Sequence, residues 1–453
     1  ITDYRMVNGE EALWTNGMFS GMPAYQISVV HHGNLMNHVA SVLRLGLPVP
    51  VGVLFVTMLG FYILGMCLKI NPWVAMVGGL AFGFASFNIL YLGAGHITKV
   101  NAVAFMAPTL GGLLLATRGK WLWGSVVFAF FLALNISSNH IQITYYLLIM
   151  LSIVAAAEGI RLLIEKKFIE LGKIVGALLL ATGIAILPSA SNLMTTYEYA
   201  KYSTRGDSDI SVAPKGTDVK EKAKAGLDKN YILEYNFGPR EELSLLIPNA
   251  KGGAGGYIGN NEAAMESLED PTYYDQIAQS NQYWGGQLFS GGAIYLGAVS
   301  IFLFLAGLFL VKDSLRFPAL ALAILCVLLS AKSGGLNFWF IDHFPMYNKF
   351  RDTKMILVVL QVIVPMMGML LLDRLWKGEA LEGNRKFQYG VLGGLVLLGL
   401  VLYAVPSVSG KFITADEIKQ FNEAAKGMKD PAQLTMIDGL KAELIHVRTS
   451  IYK

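Results

Sequence analysis

Ten apolar stretches punctuate this 453-residue chain, and Lys and Arg collect in alternate gaps between them. The stretches are 47–68, 73–94, 101–117, 121–137, 141–160, 172–190, 292–311, 316–331, 355–373 and 388–408. Each has roughly the 17–25 residues that carry an α-helix across ~30 Å of hydrocarbon. Inside a bilayer the backbone has only itself to hydrogen-bond, so such spans are helices. The pattern predicts an all-α polytopic membrane protein with about ten transmembrane helices and one long extracytoplasmic loop.

The gaps after the first, third, fifth, seventh and ninth stretches, with their edges, hold Lys69, Arg118, Lys120, Arg161, Lys166, Lys167, Lys173, Lys312, Arg316, Arg374, Lys377, Arg385 and Lys386. The short gaps 95–100 and 138–140 hold Lys99 alone. Basic residues stay in the cytoplasm. The expected organisation is therefore an extracytoplasmic segment 1–46, a six-helix block 47–190, an extracytoplasmic loop domain 191–291, a four-helix block 292–408 and an extracytoplasmic amphipathic tail 409–453. An outward N-terminus without a signal-peptide pattern predicts a further span upstream of Ile1, so the chain reads as a fragment, and more spans are open beyond Lys453.

Composition agrees, with 54% hydrophobic and 15% charged residues. The net charge of +4 is accounted for by the cytoplasmic gaps and argues for no nucleic-acid partner. Cys67 and Cys326 both fall within spans, which argues against a disulfide framework or a cysteine zinc site. Gly78, Gly79, Gly83 and Ala85 suit close helix approach. Pro108 and Pro365 predict kinks or opened backbone ladders in the third and ninth spans. In the first segment Trp14, Phe19 and Tyr25 surround a Gly21-Met22-Pro23 turn, and 34–45 reads as a short helix along the membrane face. A second short helix is expected at 261–269. Thr414 with Glu417 forms a capping box whose helix ends near Gly427, and Asp430-Pro431 opens a second tail helix.

Polar groups gather on the outward face. His96 and Lys99 start the third span, and Asn139, His140 and Gln142 start the fifth, so both histidines lie at one depth. They read as a shared cavity or as hydrogen bonding at helix ends; as a metal pair they lack a carboxylate. Arg205, Arg240, Lys349, Arg351 and Lys354 suit phosphate, or ordinary contact with lipid headgroups. Asp3, Glu10, Glu11, Asp207, Asp209, Glu241, Glu242 and Asp342 are among the outward carboxylates, any one of which is more often solvated surface than a general base. Tyr283, Trp284 and Gln287 suit a sugar ring or an interface belt.

Five strings, Leu-Trp-Thr-Asn-Gly-Met-Phe-Ser-Gly-Met-Pro (13–23), Gly-His-Ile-Thr-Lys (95–99), Asn-His-Ile-Gln-Ile-Thr-Tyr-Tyr (139–146), Tyr-Trp-Gly-Gly-Gln-Leu-Phe-Ser-Gly-Gly (283–292) and Phe-Pro-Met-Tyr-Asn-Lys-Phe-Arg (344–351), together resemble the YfhO-like bacterial membrane proteins of the Bacteroidetes type. That family is similar to the GT-C glycosyltransferases. The resemblance implies transfer of a sugar from a polyprenyl-phosphate carrier to a cell-envelope acceptor outside the bacterial cytoplasmic (inner) membrane. It also implies an essential acidic residue in the first outer loop, where Asp3 lies, some way along the segment. Arg205, Arg240, Lys349 and Arg351 would then hold the donor phosphate, and His96, Lys99, His140, Gln142, Tyr283 and Trp284 would line the substrate pocket. No metal ligands are assigned, and a divalent cation, the sugar and the acceptor stay open. A flippase or transporter of lipid-linked intermediates predicts mid-span charges, whereas Asn88, Asn135 and Gln361 are neutral. A non-catalytic scaffold for envelope assembly predicts that His96, His140, Arg205 and Arg351 lie scattered rather than around one pocket.

Overall fold

The computed structural model describes residues 2–18, 20–27, 33–206, 226–426 and 428–453. Phe19, Asp207, Asp209 and Gly427 lie outside them. The first segment holds an exposed helix α1 (Thr2–Asn8) and a two-residue hairpin, β1 (Trp14–Thr15) with β2 (Met22–Pro23), in which Trp14 faces Pro23. Helix α2 (Leu35–Leu43) follows, its first turn capped by Asn34 accepting the Met36 amide (3.0 Å). Its apolar residues Met36, Val39 and Leu43 pack on Phe105, Phe131 and Leu134.

Apolar helices then follow in chain order: α3 (Val49–Cys67), α4 (Pro72–Gly83), α5 (Ser86–Gly93), α6 (Ile97–Ala104), α7 (Met106–Thr117), α8 (Trp121–Ser137), α9 (Ile141–Ile164) and α10 (Phe168–Ile186). Helix α11 (Ala190–Ala200) continues α10 beyond the bundle and buries none of its residues. The outer loop carries α12 (Lys229–Leu233), α13 (Glu262–Met265) and α14 (Tyr274–Gln279). The second block is α15 (Ala298–Leu310), α16 (Arg316–Ser330), the loop helix α17 (Gly335–His343), α18 (Val358–Lys377) and α19 (Arg385–Ala404). The tail is α20 (Ala415–Lys426) and α21 (Pro431–Tyr452).

The protein is all-α apart from the short hairpin among the described residues. Six of its helices are long and apolar enough to cross a membrane, or seven if α4 and α5, bent by 44°, form one span. Three expected spans, 121–137, 292–311 and 316–331, are apolar helices of only 17, 13 and 15 residues. The third span breaks at Phe105, three residues before Pro108. Proline in the first turn of α7 sits where its missing N–H is not needed. The opened ladder is re-satisfied from outside, with Asn135 of α8 donating to the Ala102 carbonyl (2.7 Å). By contrast, α18 runs as one helix through Pro365.

Sequence hydropathy explains which helices are innermost. A helix apolar on every side must be covered on every side, and α18 with α6–α7 are the most enclosed. Close packing uses the small residues. A Cβ on Gly79 would stand 2.9 Å from the Met58 carbonyl oxygen, so α3 and α4 touch backbone to side-chain-free backbone.

Contacts among the connecting segments sort them into two ends. At one, Arg118 pairs with Asp313 (2.9 Å), and the buried Glu158 accepts from Arg161 (2.9 Å) and Ser314 (3.1 Å). There Arg374 also donates to the Lys312 carbonyl (3.0 Å) and the Asn71 amide to Asp373 (2.7 Å). All five basic-rich gaps meet at this end. At the other, Tyr145 donates to the Pro345 carbonyl (2.7 Å) and Gln142 to the Arg351 carbonyl (2.8 Å).

The long loop 191–291 and the tail 409–453, separated in sequence by the whole second helical block, share one core of Ala250, Ile258, Ile277, Trp284, Phe412, Leu444, Val447 and Ile451. The expected capping box forms, with Glu417 accepting the Thr414 amide (2.8 Å) and the Thr414 hydroxyl accepting the Glu417 amide (3.1 Å). Glu417 has a second task. It takes both terminal nitrogens of the fully buried Arg448 (2.7 and 2.8 Å), which also donates to the Asn281 and Phe412 carbonyls. Burial works against the Glu417 charge, but Arg448 and Thr414 outweigh it and hold the carboxyl below its usual range. The tail's hold on the loop is therefore complete above the ordinary carboxylate range and is lost as pH falls through the lowered value. Arg448→Met should cost about 3 kcal/mol by stranding Glu417. Limited proteolysis checks this: the tail is cut faster in the variant at pH 7, and unchanged cutting would contradict it.

Candidate functional site

The site is built on the turn 351–354, which feeds α18. Two long-range amides place it. Asn236, fully buried, donates through Nδ2 to Thr353 Oγ1 (2.8 Å) and the Leu329 carbonyl (3.2 Å) and accepts the Lys354 amide through Oδ1 (3.1 Å). Gln142 at the start of α9 donates to the Arg351 carbonyl (2.8 Å) and to Tyr146 Oη (3.2 Å). The Asp352 amide donates to the Ile232 carbonyl (2.9 Å), and Asp352 itself takes a left-handed conformation, φ +54°. Tyr231 accepts from Arg351 Nη1 (2.7 Å), and the guanidinium also faces the Tyr235 ring at 5.7 Å.

This turn closes a cavity of about 280 Å³ between the helix ends and the outer loop. Its polar lining is Lys99, Arg351, Lys354, Asp352, His96 and Gln287; Tyr91, Tyr235 and Phe289 supply rings, and Leu90, Ile294 and Met355 the apolar side. Lys99 Nζ stands 4.3 Å from the Tyr91 ring centre. Lys354 is almost wholly buried, and its ammonium meets Gln287 Oε1 and faces the Phe237 ring. Among the described residues none of these three cations has a carboxylate within ion-pairing distance, and Asp352 Oδ1 is buried with no hydrogen-bond partner. Burial pushes the Asp352 carboxyl above its ordinary range, against the pull of Lys354, Lys99 and Arg351. Three cations round one carboxylate leave the cavity positive, and an anion is what such a place attracts.

The candidates named from sequence divide. His96, Lys99 and Arg351 line the cavity. Gln142 supports it from behind rather than lining it. His140 caps α9, its Nδ1 accepting the Ile143 amide (3.4 Å). Burial, then the charge of Lys99, lower His140 to about 4, so the ring is neutral and has the lone pair that the cap needs. Burial and Lys99 lower His96 as well. Arg205 and Lys349 hold each other, Arg205 Nε on the Lys349 carbonyl (2.8 Å) and Lys349 Nζ on the Arg205 carbonyl (2.5 Å), away from the lining. Arg240 donates to the Val408 carbonyl (3.0 Å) after α19. Trp284 is buried in the outer core beside Phe412, at 5.6 Å between rings. Asp3 sits on exposed α1 and does not reach the cavity lining.

Tyr283 serves a neighbouring carboxylate. Glu241, almost wholly buried, accepts from Tyr283 Oη (2.6 Å), Gln287 Nε2 (2.7 Å) and the Gly238 and Gly286 amides (2.7 and 2.9 Å). Both glycines are required there, since a Cβ on either would stand within 2.7 Å of the other's Cα. Asp352 was missed by sequence reasoning, and Lys354 and Gln287 were noted without being placed together. The available signal was Arg351-Asp352-Thr353-Lys354, a carboxylate between two cations directly before the candidate span of highest mean hydropathy. Among the described residues no group of three or more His, Cys, Asp or Glu is placed to hold a metal ion.

Comparison with protein-family models, with curated proteins and with solved structures gives no match. Asn236→Ala tests the turn. It removes an amide that satisfies one amide, a hydroxyl and a carbonyl in the interior, so the expected loss is about 2–3 kcal/mol. A thiol-reactive dye reporting exposure of the buried Cys326 on heating reads it; an unchanged midpoint would contradict the role given to Asn236.

Proposed function

We propose that the protein is a membrane glycosyltransferase of the YfhO-like, GT-C-related kind. It would move a sugar from a polyprenyl-phosphate carrier to an acceptor at the outer face of a bacterial cytoplasmic membrane. The observation that carries this reading is the single cavity where Lys99, Arg351 and Lys354 surround the unpaired Asp352 at the junction of helix ends and outer loop.

In this reading Lys99, Arg351 and Lys354 bind the carrier phosphate, in place of Arg205, Arg240 and Lys349. The Leu90, Ile294 and Met355 side meets the first isoprene units, and Tyr91, Tyr235 and Phe289 offer faces to the sugar. Asp352 takes the proton of the acceptor hydroxyl as its oxygen attacks the anomeric carbon. The carrier phosphate leaves with the bonding pair, so configuration inverts. Cations already in place stabilise the charge that develops on that phosphate, and the low-dielectric wall strengthens them. A carboxyl raised by burial is a better base than an ordinary one. Of the four residues whose gathering would argue against a scaffold, His96 and Arg351 line the cavity and His140 and Arg205 do not. What weighs against a scaffold is that Lys99, Lys354 and Asp352 join the first two. Their place at the helix ends rather than mid-span weighs against a flippase.

Ten crossings remain part of the proposal, supported by the sorting of the connecting segments into two ends. The 13-residue α15 rises only about 20 Å. The extended lead-in 292–297 extends it, pinned by Ser86 Oγ donating to the Ala293 carbonyl (2.8 Å) and accepting the Tyr295 amide (2.7 Å). Irregular backbone buried in protein is tolerated at membrane depth.

Membranes incubated with radiolabelled polyprenyl-phosphate sugar test the reading. Asp352→Asn should lower label transfer by about 10²–10⁴-fold, the usual span for a lost general base. Transfer should fall as pH drops through the raised Asp352 value, where the carboxyl is protonated and no longer accepts. Lys99→Gln and Lys354→Gln should each lower it about 10²-fold. Undiminished transfer in Asp352→Asn would overturn the assignment.

A further inference from the structure

Lys354 presents an unusual arrangement for a buried ammonium: its side-chain hydrogen-bond partner is the neutral amide of Gln287. An amide can turn either end toward a neighbour, and only its oxygen accepts from an ammonium. What fixes the oxygen on Lys354 is Glu241. As a carboxylate it only accepts, and it takes Gln287 Nε2 at 2.7 Å, so the nitrogen must face Glu241 and the oxygen must face Lys354. Glu241 in turn is immobilised by the Gly238 and Gly286 amides and by Tyr283, whose hydroxyl also accepts the Gln287 backbone amide (2.9 Å). Neither Glu241 nor its three other donors lines the cavity, whereas Gln287 and Lys354 do.

We infer that Glu241 is a positioning residue that orients the Gln287 amide and thereby holds the Lys354 ammonium at the cavity wall, ready for an incoming anion. The inference rests on the reading of that cavity as an anion site. Carboxylate, amide and ammonium form one polarised chain. A direct carboxylate partner would neutralise Lys354, whereas an intervening amide fixes its position and leaves its charge for the ligand.

Competitive acylation of lysines by acetic anhydride in the ligand-free full chain, read by mass spectrometry, tests this with Lys69 and Lys312 as internal references. In Glu241→Gln the Gln287 amide is free to turn, and Lys354 should be acylated about tenfold faster, the factor that one charge-assisted hydrogen bond carries. Adding Gln287→Glu to that variant places a carboxylate directly on the ammonium and should restore slow acylation. Tyr283→Phe removes one donor to the same carboxylate and the acceptor of the Gln287 backbone amide. It leaves the bond from Gln287 Nε2 to Glu241 in place, and should leave the rate near that of the native chain. An unchanged Lys354 rate in Glu241→Gln overturns the inference, as does an equal rise in Tyr283→Phe, which would make Glu241 a support of the loop and nothing more. A separate arm adds polyprenyl phosphate to the native chain. Protection of Lys354 supports the donor-site reading, and its absence sinks that reading while the Glu241 variants still decide the positioning role.

Discussion

The buried amide of Asn236 is the interaction on which the candidate site depends. It joins the outer loop to the last turn before α18 by satisfying one amide, one hydroxyl and one carbonyl at once. Without it the segment 351–354 would have to find those partners in water or lipid, at the edge of a region where an unmatched backbone group costs several kcal/mol. With it, Arg351 and Lys354 lie on either side of Asp352, and Lys99 completes the ring from α6. The same turn is gripped from the membrane side by Gln142 and Tyr146. Two independent parts of the fold therefore fix one short loop, as a preorganised charge cluster requires.

The electrostatics have a simple logic. Charges avoid the middle of the bundle, where hydration is lost and not replaced. At one end they pair: Arg118 with Asp313, Arg161 with Glu158, Lys377 with Asp373. At the other, Lys99, Arg351 and Lys354 keep rings, amides and hydroxyls as partners rather than carboxylates. A buried structural charge is expected to find an opposite partner, as Glu158 and Asp373 do at the first end. The cavity instead keeps three cations with no carboxylate in ion-pairing distance among the described residues. One carboxylate oxygen there has no hydrogen-bond partner, the kind of arrangement that marks a candidate functional site.

Much of this was legible in the chain. Each of the ten apolar stretches contains an α-helix, the tail caps at Thr414 and Asp430 form, and the alternation of basic gaps matches the sorting of segments into two ends. The start of one helix was less legible: α15 begins at Ala298, six residues into its apolar stretch, because Ser86 holds the preceding segment extended, whereas α16 matches its stretch to within a residue. At the site, His96, Lys99 and Arg351 stood out because polar groups at span edges are few. The roles of Gln142 and Trp284 did not, since these depend on contacts with residues about 209 and 128 positions away, which no local pattern encodes. Asp352 lies between two cations in sequence, and only the fold shows that neither forms an ion pair with it. Glu241 was one of many outward carboxylates, distinguished only when the Gly238 and Gly286 backbones cross beside it.

The most direct measurement is an electron cryomicroscopy map of the full chain in lipid nanodiscs with added polyprenyl phosphate. The arrangement described here requires headgroup density between Lys99, Arg351 and Lys354, with the lipid tail leaving along Leu90 and Ile294. A cavity empty at saturating lipid, or a phosphate bound instead beside Arg205 and Lys349, would contradict it.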